Sequence, residues 1–86
     1  MEADGANEVL RQRRLRTQAR MEQGRAFLRE HPLVGMSVDE ARRLVCDAGI
    51  PFRPIEVGDP TSGDMVPGRI TVRTKNGVVL RAYVGN

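Results

Sequence analysis

The sequence contains little of the chemistry that catalysis or metal binding requires. It has one cysteine, one histidine and no tryptophan, so an internal disulfide is excluded and no cluster with the ligand spacing of a metal site is found. Cys46 and His31 lack a third group placed to make a thiol nucleophile and its base. The acidic residues are scattered rather than paired. We therefore expect a protein that is not an enzyme and that binds neither a metal ion nor a cofactor.

Long apolar runs are also absent. No stretch approaches the length of a membrane span, and the first residues, MEADGANEVLRQRRLR, contain no apolar segment of the kind found in a signal peptide. A lone cysteine suits a reducing compartment. We expect a soluble, cytoplasmic protein with no membrane partner, and 86 residues allow a single domain with a modest core.

Positive charge is concentrated in one segment. The net charge is +3, but residues 9–30 hold seven arginines against Glu22 and Glu30 alone. Residues 8–30 mostly favour helix and carry a thin apolar stripe, whereas residues 1–8 are expected to fray. Pro32 ends the segment, because the residue before a proline is pushed out of the helical region. Residues 1–31 are therefore predicted to form a basic N-terminal arm, either helical or partly disordered.

The arginines of this arm are candidate partner-binding residues. Guanidinium groups bind phosphates bidentately and without regard to base sequence, so nucleic acid is one candidate partner. The chain has only two phenylalanines and one tyrosine for stacking on bases, which favours an acidic protein partner or a solvated helix face. The residues chosen for these contacts are Arg13, Arg14, Arg16 and Arg20.

A second helix is predicted with well-defined ends. Ser37 and Glu40 have the spacing of a capping box, and Gly49 supplies a C-terminal stop. Residues 38–48 between them are amphipathic. The predicted core face consists of Val38, Ala41, Leu44, Val45 and Ala48. Since this face and all predicted strands lie beyond the arm, we expect the domain to fold without residues 1–30.

Strand patterns occupy the rest of the chain. The first covers residues 51–57, the second begins at Ile70, and a tight turn at Asn76-Gly77 leads into the third, residues 78–84. The predicted fold is therefore α+β: one amphipathic helix packed on a small mixed sheet with an extended exposed loop, preceded by the basic N-terminal helix or tail. Residues 32–86 would form this domain.

The connection from Val57 to Arg69 is long and has no helical or strand pattern, and such connections are commonly functional or disordered. Residues 33–41 before it read LVGMSVDEA, Val57-Gly58 opens it, and Tyr83-Val84-Gly85 stands just before the last residue. On these motifs, residues 33–85 resemble the potato inhibitor I family of serine protease inhibitors, which includes barley chymotrypsin inhibitor and eglin. Residues 1–30 have no counterpart in that family.

The resemblance implies a serine protease inhibitor that presents residues 58–68 as a substrate-like loop to subtilisin-like or chymotrypsin-like enzymes. An alignment without gaps places Ser62 at P2, Gly63 at P1 and Asp64 at P1′, whereas a bulge of one residue would bring Met65 forward as P1. The protease-binding residues would be Thr61, Ser62, Gly63, Asp64 and Met65. Both choices of P1 stay open at this point.

Departures from the family pattern affect the expected strength of inhibition. Arg69 matches a supporting arginine that follows the loop, but Thr71 stands where a second bracing arginine is common. Gly63 has no side chain to fill the S1 pocket, so inhibition would be weak if it occupies P1. The alternative is an inhibitor-fold scaffold that serves as a binding or regulatory module, with its Arg-rich N-terminal helix contacting nucleic acid or an acidic protein.

Overall fold

The computed structural model describes residues 2–60 and 66–85, with side chains from Val9 onward. The chain forms α1 (Glu2–Glu30), α2 (Val38–Asp47), β1 (Phe52–Glu56), β2 (Arg69–Lys75) and β3 (Val78–Gly85). Two helices and a three-stranded mixed sheet confirm the predicted α+β class. None of the described helices combines the length and the apolar character needed to cross a membrane.

The sheet has the order β1-β2-β3. β1 runs parallel to β2, with Phe52 opposite Ile70 and Glu56 opposite Thr74. β2 and β3 are antiparallel and are joined by the predicted turn, in which Asn76 has φ of 52° and Gly77 φ of 77°. This type of two-residue hairpin turn requires positive φ at both central residues, and Asn-Gly adopts such angles readily.

The start of α2 follows the sequence prediction. The Ser37 hydroxyl accepts a hydrogen bond from the Glu40 backbone N–H at 3.2 Å, which satisfies one of the donors left unpaired at a helix start. The helix ends at Asp47, with Ala48 as its C-terminal cap and Gly49 at φ of 74°. A left-handed glycine just past the last turn is a common helix stop.

The predicted core face of α2 is wrong at Leu44 and at Ala48, which is exposed and caps the helix just past its last residue. Ala41 and Val45 are fully buried, whereas Leu44 is 37% exposed. With 3.6 residues per turn, Leu44 lies about 80° around the helix from the midpoint between Ala41 and Val45. A narrow sheet covers only the centre of the apolar stripe, so Leu44 remains at its edge.

The core lies between one face of the sheet and the two helices. Its buried members are Leu33, Ala41, Val45, Ile50, Ile70, Val72 and Val79. Phe27 and Leu28, near the end of α1, pack against this cluster. All buried members of the cluster lie beyond residue 31, but the last turns of α1 cover part of it, so the expectation that the domain folds without residues 1–30 stays a prediction to be tested by truncation.

The two halves of α1 differ in their surroundings. The helix begins at Glu2, earlier than expected, and residues 9–20 are exposed apart from the half-buried Thr17. From Met21 onward the helix lies on the sheet, with Gly24 buried and Phe27 half-buried. Of the two conformations considered for the arm, the helical one is present, and its basic half extends away from the core.

Candidate functional site

The connection between β1 and β2 is the candidate site. Because the two strands are parallel, the end of β1 and the start of β2 lie at opposite ends of the pair, and residues 57–68 must run back along it. The strand pair is about 16 Å long at 3.3 Å per residue. The connection, if fully extended, would reach about 40 Å, so it is long enough to span the pair. Parallel strands are usually joined by a helix, but the described parts of this connection, 57–60 and 66–68, are not helical.

The first end of the connection is fixed to β2. The Val57 N–H donates to the Thr74 carbonyl at 2.8 Å, and the Asp59 N–H donates to the Glu56 carbonyl at 3.0 Å. The Glu56 carboxylate accepts from the Thr74 hydroxyl at 3.0 Å and from the Asn76 N–H at 3.3 Å. These bonds tie the end of β1 to the β2–β3 hairpin.

The second end is fixed to β1 and to α1. The Ile70 N–H donates to the Pro51 carbonyl at 2.9 Å, and the Arg69 N–H donates to the Val66 carbonyl at 3.2 Å. The Gly68 N–H donates to the Met21 sulfur at 3.2 Å. Sequence reasoning missed Met21, because nothing local in a helix shows which distant loop it will contact.

The sheet face opposite the helices is rich in arginine. Side chains alternate along a strand, so Ile70 and Val72 enter the core while Arg69, Thr71 and Arg73 point the other way. Thr71 is buried at 1% exposure. Arg53 lies opposite it on β1 and Tyr83 opposite it on β3.

This arrangement concentrates positive charge around a buried hydroxyl. Arg53, Arg69 and Arg73 are all half-buried, and partly desolvated guanidinium groups form strong hydrogen bonds to carboxylates. The predicted loop-support residue, Arg69, is thus one of three half-buried arginines on the face, and the exposed Arg81 lies opposite Arg73 on β3. Arg53 and Arg73 were missed because their proximity depends on the parallel register, which the sequence does not reveal.

The predicted protease-binding residues Thr61, Ser62, Gly63, Asp64 and Met65 lie outside the described residues. The structure places the two ends of their connection but gives no contacts for them. Within residues 2–60 and 66–85, no group of three or more His, Cys, Asp or Glu side chains is positioned to hold a metal ion. Cys46 is an exposed free thiol.

The predicted partner-binding arginines form a basic surface on the exposed half of α1. Arg13, Arg16 and Arg20 recur at helical spacing and, with Thr17, line a surface groove of about 300 Å³. Arg14 is exposed on an adjoining groove. Among the side chains that the structure describes, none of these four arginines takes part in an ion pair.

The arginines nearer the end of α1 have a carboxylate partner. Arg29 Nη2 lies 2.8 Å from Glu22 Oε1, and Arg25 Nη1 lies 3.8 Å from Glu22 Oε2. The hydrogen bond from Arg29 and the nearby positive charges lower the pKa of the Glu22 carboxyl. Within α1, the arginines without a described carboxylate partner therefore lie on the half of the helix that extends from the core.

Comparison of the chain with family models, with curated proteins and with solved structures gave no significant match.

Proposed function

We propose that the protein is a serine protease inhibitor and that residues 58–68 form its protease-binding loop. The observation that supports this most is the parallel β1–β2 pair, joined by a connection whose described parts are not helical and whose two ends are both hydrogen-bonded to the sheet. A loop held at both ends loses little conformational entropy when a protease binds it, which favours affinity. The motifs at residues 33–41 and 57–58 agree with this proposal.

The proposal assigns roles to individual residues. Ser62, Gly63 and Asp64 take the P2, P1 and P1′ positions, with Met65 as the alternative P1 residue. Arg69, beside Arg53 and Arg73 on the sheet face, supplies charge-assisted hydrogen bonds that brace the loop. The target is a subtilisin-like or chymotrypsin-like enzyme. The protein acts by binding, without catalysis, and the exposed Cys46 suits the cytoplasm, where thiols stay reduced.

Substitution of Gly63 by Met tests the loop directly. A filled S1 pocket adds about 1.5–3 kcal/mol of apolar burial, so the inhibition constant should improve by roughly tenfold to a hundredfold against one or more members of a serine protease panel. Leu80→Met is the control, because Leu80 is an exposed apolar residue on β3 outside the connection. It should leave inhibition unchanged.

Removal of the supporting Arg69 side chain should then reverse the improvement in inhibition. In the Gly63→Met background, Arg69→Ala should weaken inhibition and accelerate cleavage of the loop, because the connection loses a charge-assisted support. Arg81→Ala is the matched control, since Arg81 lies opposite Arg73 but is exposed. A Gly63→Met protein that inhibits no serine protease and is degraded like an unfolded chain would show that the proposal is wrong.

A second candidate function rests on the basic surface of α1. Arg13, Arg16 and Arg20 line one groove on the exposed half of the helix, and no described carboxylate is paired with them. Such a surface attracts a polyanion, either the phosphates of a nucleic acid or an acidic protein segment. In this alternative the inhibitor-like fold serves as a scaffold for a binding or regulatory module.

A further inference from the structure

We infer that α1 is the positioning element for the second end of the β1–β2 connection and holds that end in place after a protease has cut the loop. This inference rests on the proposed inhibitor function and extends it to a helix that has no counterpart in the family the sequence resembles. It is based on the contact between Gly24 and Gly68 and on the hydrogen bond to Met21.

Backbone meets backbone where α1 crosses Gly68. A Cβ atom at Gly68 would lie 2.7 Å from the Arg20 carbonyl oxygen and 2.8 Å from its carbonyl carbon. A Cβ atom at Gly24 would lie 3.1 Å from the Gly68 carbonyl oxygen and 2.9 Å from Val84 Cγ2. Real Cβ atoms avoid such distances, so glycine on both sides is what allows the helix to approach this closely.

The contact also satisfies a buried donor. Gly68 is buried, and its N–H donates to the Met21 sulfur at 3.2 Å. A thioether is a weak acceptor, but a buried N–H without a partner is costly. Met21, Gly24, Phe27 and Leu28 lie on one side of the helix, so the same face that meets Gly68 also meets the core.

A cavity separates the neighbouring part of α1 from the turn that follows α2. A cavity of about 260 Å³ lies between Arg20 and Gln23 of α1 and the turn at Gly49–Pro51. Pro67 and Gly68 line the same cavity. Next to this cavity, α1 contacts the connection at Gly68 and contacts β3 at Val84.

The contact between α1 and Gly68 matters for an inhibitor because its two partners lie on opposite sides of the expected cut in the chain. A cut after Gly63 or after Met65 would leave α1 in the N-terminal fragment and Gly68 in the C-terminal fragment. The contact of α1 with Gly68 would then join the two fragments beside the cut and keep the new ends close enough to be religated. The same contact would restrain the second end of the connection, near Thr71. In the family that the sequence resembles, a second bracing arginine is common at that position.

A pair of glycine substitutions separates this contact from simple backbone strain. Gly68 has φ of 80° and Gly77 has φ of 77°, so alanine is strained at both. A Cβ at Gly77 has open space, whereas a Cβ at Gly68 meets the backbone of Arg20. Gly68→Ala should therefore displace α1 from the connection, and Gly77→Ala should not.

The measurements are amide hydrogen exchange at residues 66–70 and the rate at which a protease cuts the connection, both at a temperature where each variant is folded by circular dichroism. For Gly68→Ala we expect exchange and cutting about tenfold faster or more, since both follow the local opening equilibrium. Gly77→Ala should stay close to the wild type in both. Met21→Leu keeps the apolar volume and removes the acceptor, so exchange at the Gly68 N–H should rise by about twofold or more.

Failure of the inference is distinguishable from failure of the proposed function. Hydrogen exchange requires no protease, so it decides whether α1 holds Gly68 even if the wild type inhibits nothing. Unchanged exchange in both Gly68→Ala and Met21→Leu would overturn the inference. If Gly68→Ala does not fold, Met21→Leu decides it alone.

Discussion

Val45 and Leu44 are neighbours on α2 with opposite surroundings. Val45 has no exposed surface and Leu44 is 37% exposed. Truncation of a buried side chain removes its transfer free energy and leaves a cavity, whereas a site at the edge of the core can relax or fill with solvent. The smaller of the two side chains should therefore contribute more to stability.

We predict that Val45→Ala lowers the free energy of unfolding by about 2 kcal/mol or more, and that Leu44→Ala lowers it by about 1 kcal/mol or less. Chemical denaturation of both variants under the same conditions measures the difference. A larger loss for Leu44→Ala would mean that α2 is rotated from the orientation described above.

Residues whose roles are set by near neighbours were predictable from sequence. Ser37 is an N-cap because its hydroxyl accepts from the backbone N–H three residues later, and Asn76-Gly77 is a turn because both residues tolerate positive φ. Gly24 and Gly68 were not predictable as a contact, because an isolated glycine in a helical pattern looks like a local cost in helix stability. The residue that packs against each of these glycines is far away in the sequence.

At the scale of elements, α1 is one helix with two roles. Its last turns pack on the core through Phe27 and Leu28, while residues 9–20 are largely exposed. Periodicity alone could not show this division, because the apolar positions of the segment are too sparse to mark where packing begins.

Two truncations test the division. Removal of residues 1–16 should leave cooperative thermal unfolding with a similar midpoint, because the described side chains of that part are exposed. Removal of residues 1–30 should lower the midpoint strongly or abolish cooperative unfolding, since it uncovers the core beside Phe27 and deprives Gly68 of its acceptor. Equal melting of the two truncated proteins would contradict the packing of α1 on the core.

The basic surface predicts salt-dependent binding if the second candidate function holds. Replacing Arg13, Arg16 and Arg20 by Gln should abolish binding to a duplex oligonucleotide, and wild-type affinity should fall steeply with added salt because bound phosphates release counterions. Arg25 and Arg29 are the matched controls, since Glu22 already pairs with both. No binding of the wild type at low salt would remove nucleic acid and leave an acidic peptide as the probe to test.

For the whole molecule, the fold class follows from the order of the patterns along the chain. The direction of β1 relative to β2 does not, because a strand pattern carries no information about its partner. That direction is what sends residues 57–68 back along the sheet and gathers Arg53, Arg69 and Arg73 on one face. The placement of the two described ends of the candidate site is thus a product of topology.

The most direct test of the central claim is the position and rate of cleavage by a serine protease. The folded protein is incubated with subtilisin or chymotrypsin, and the fragments are followed by mass spectrometry. We predict one slow cut within residues 58–68, after Gly63 or after Met65, with both fragments still associated and the protease inhibited. Rapid cutting at many positions, or a single cut outside residues 58–68 with no loss of protease activity, would contradict it.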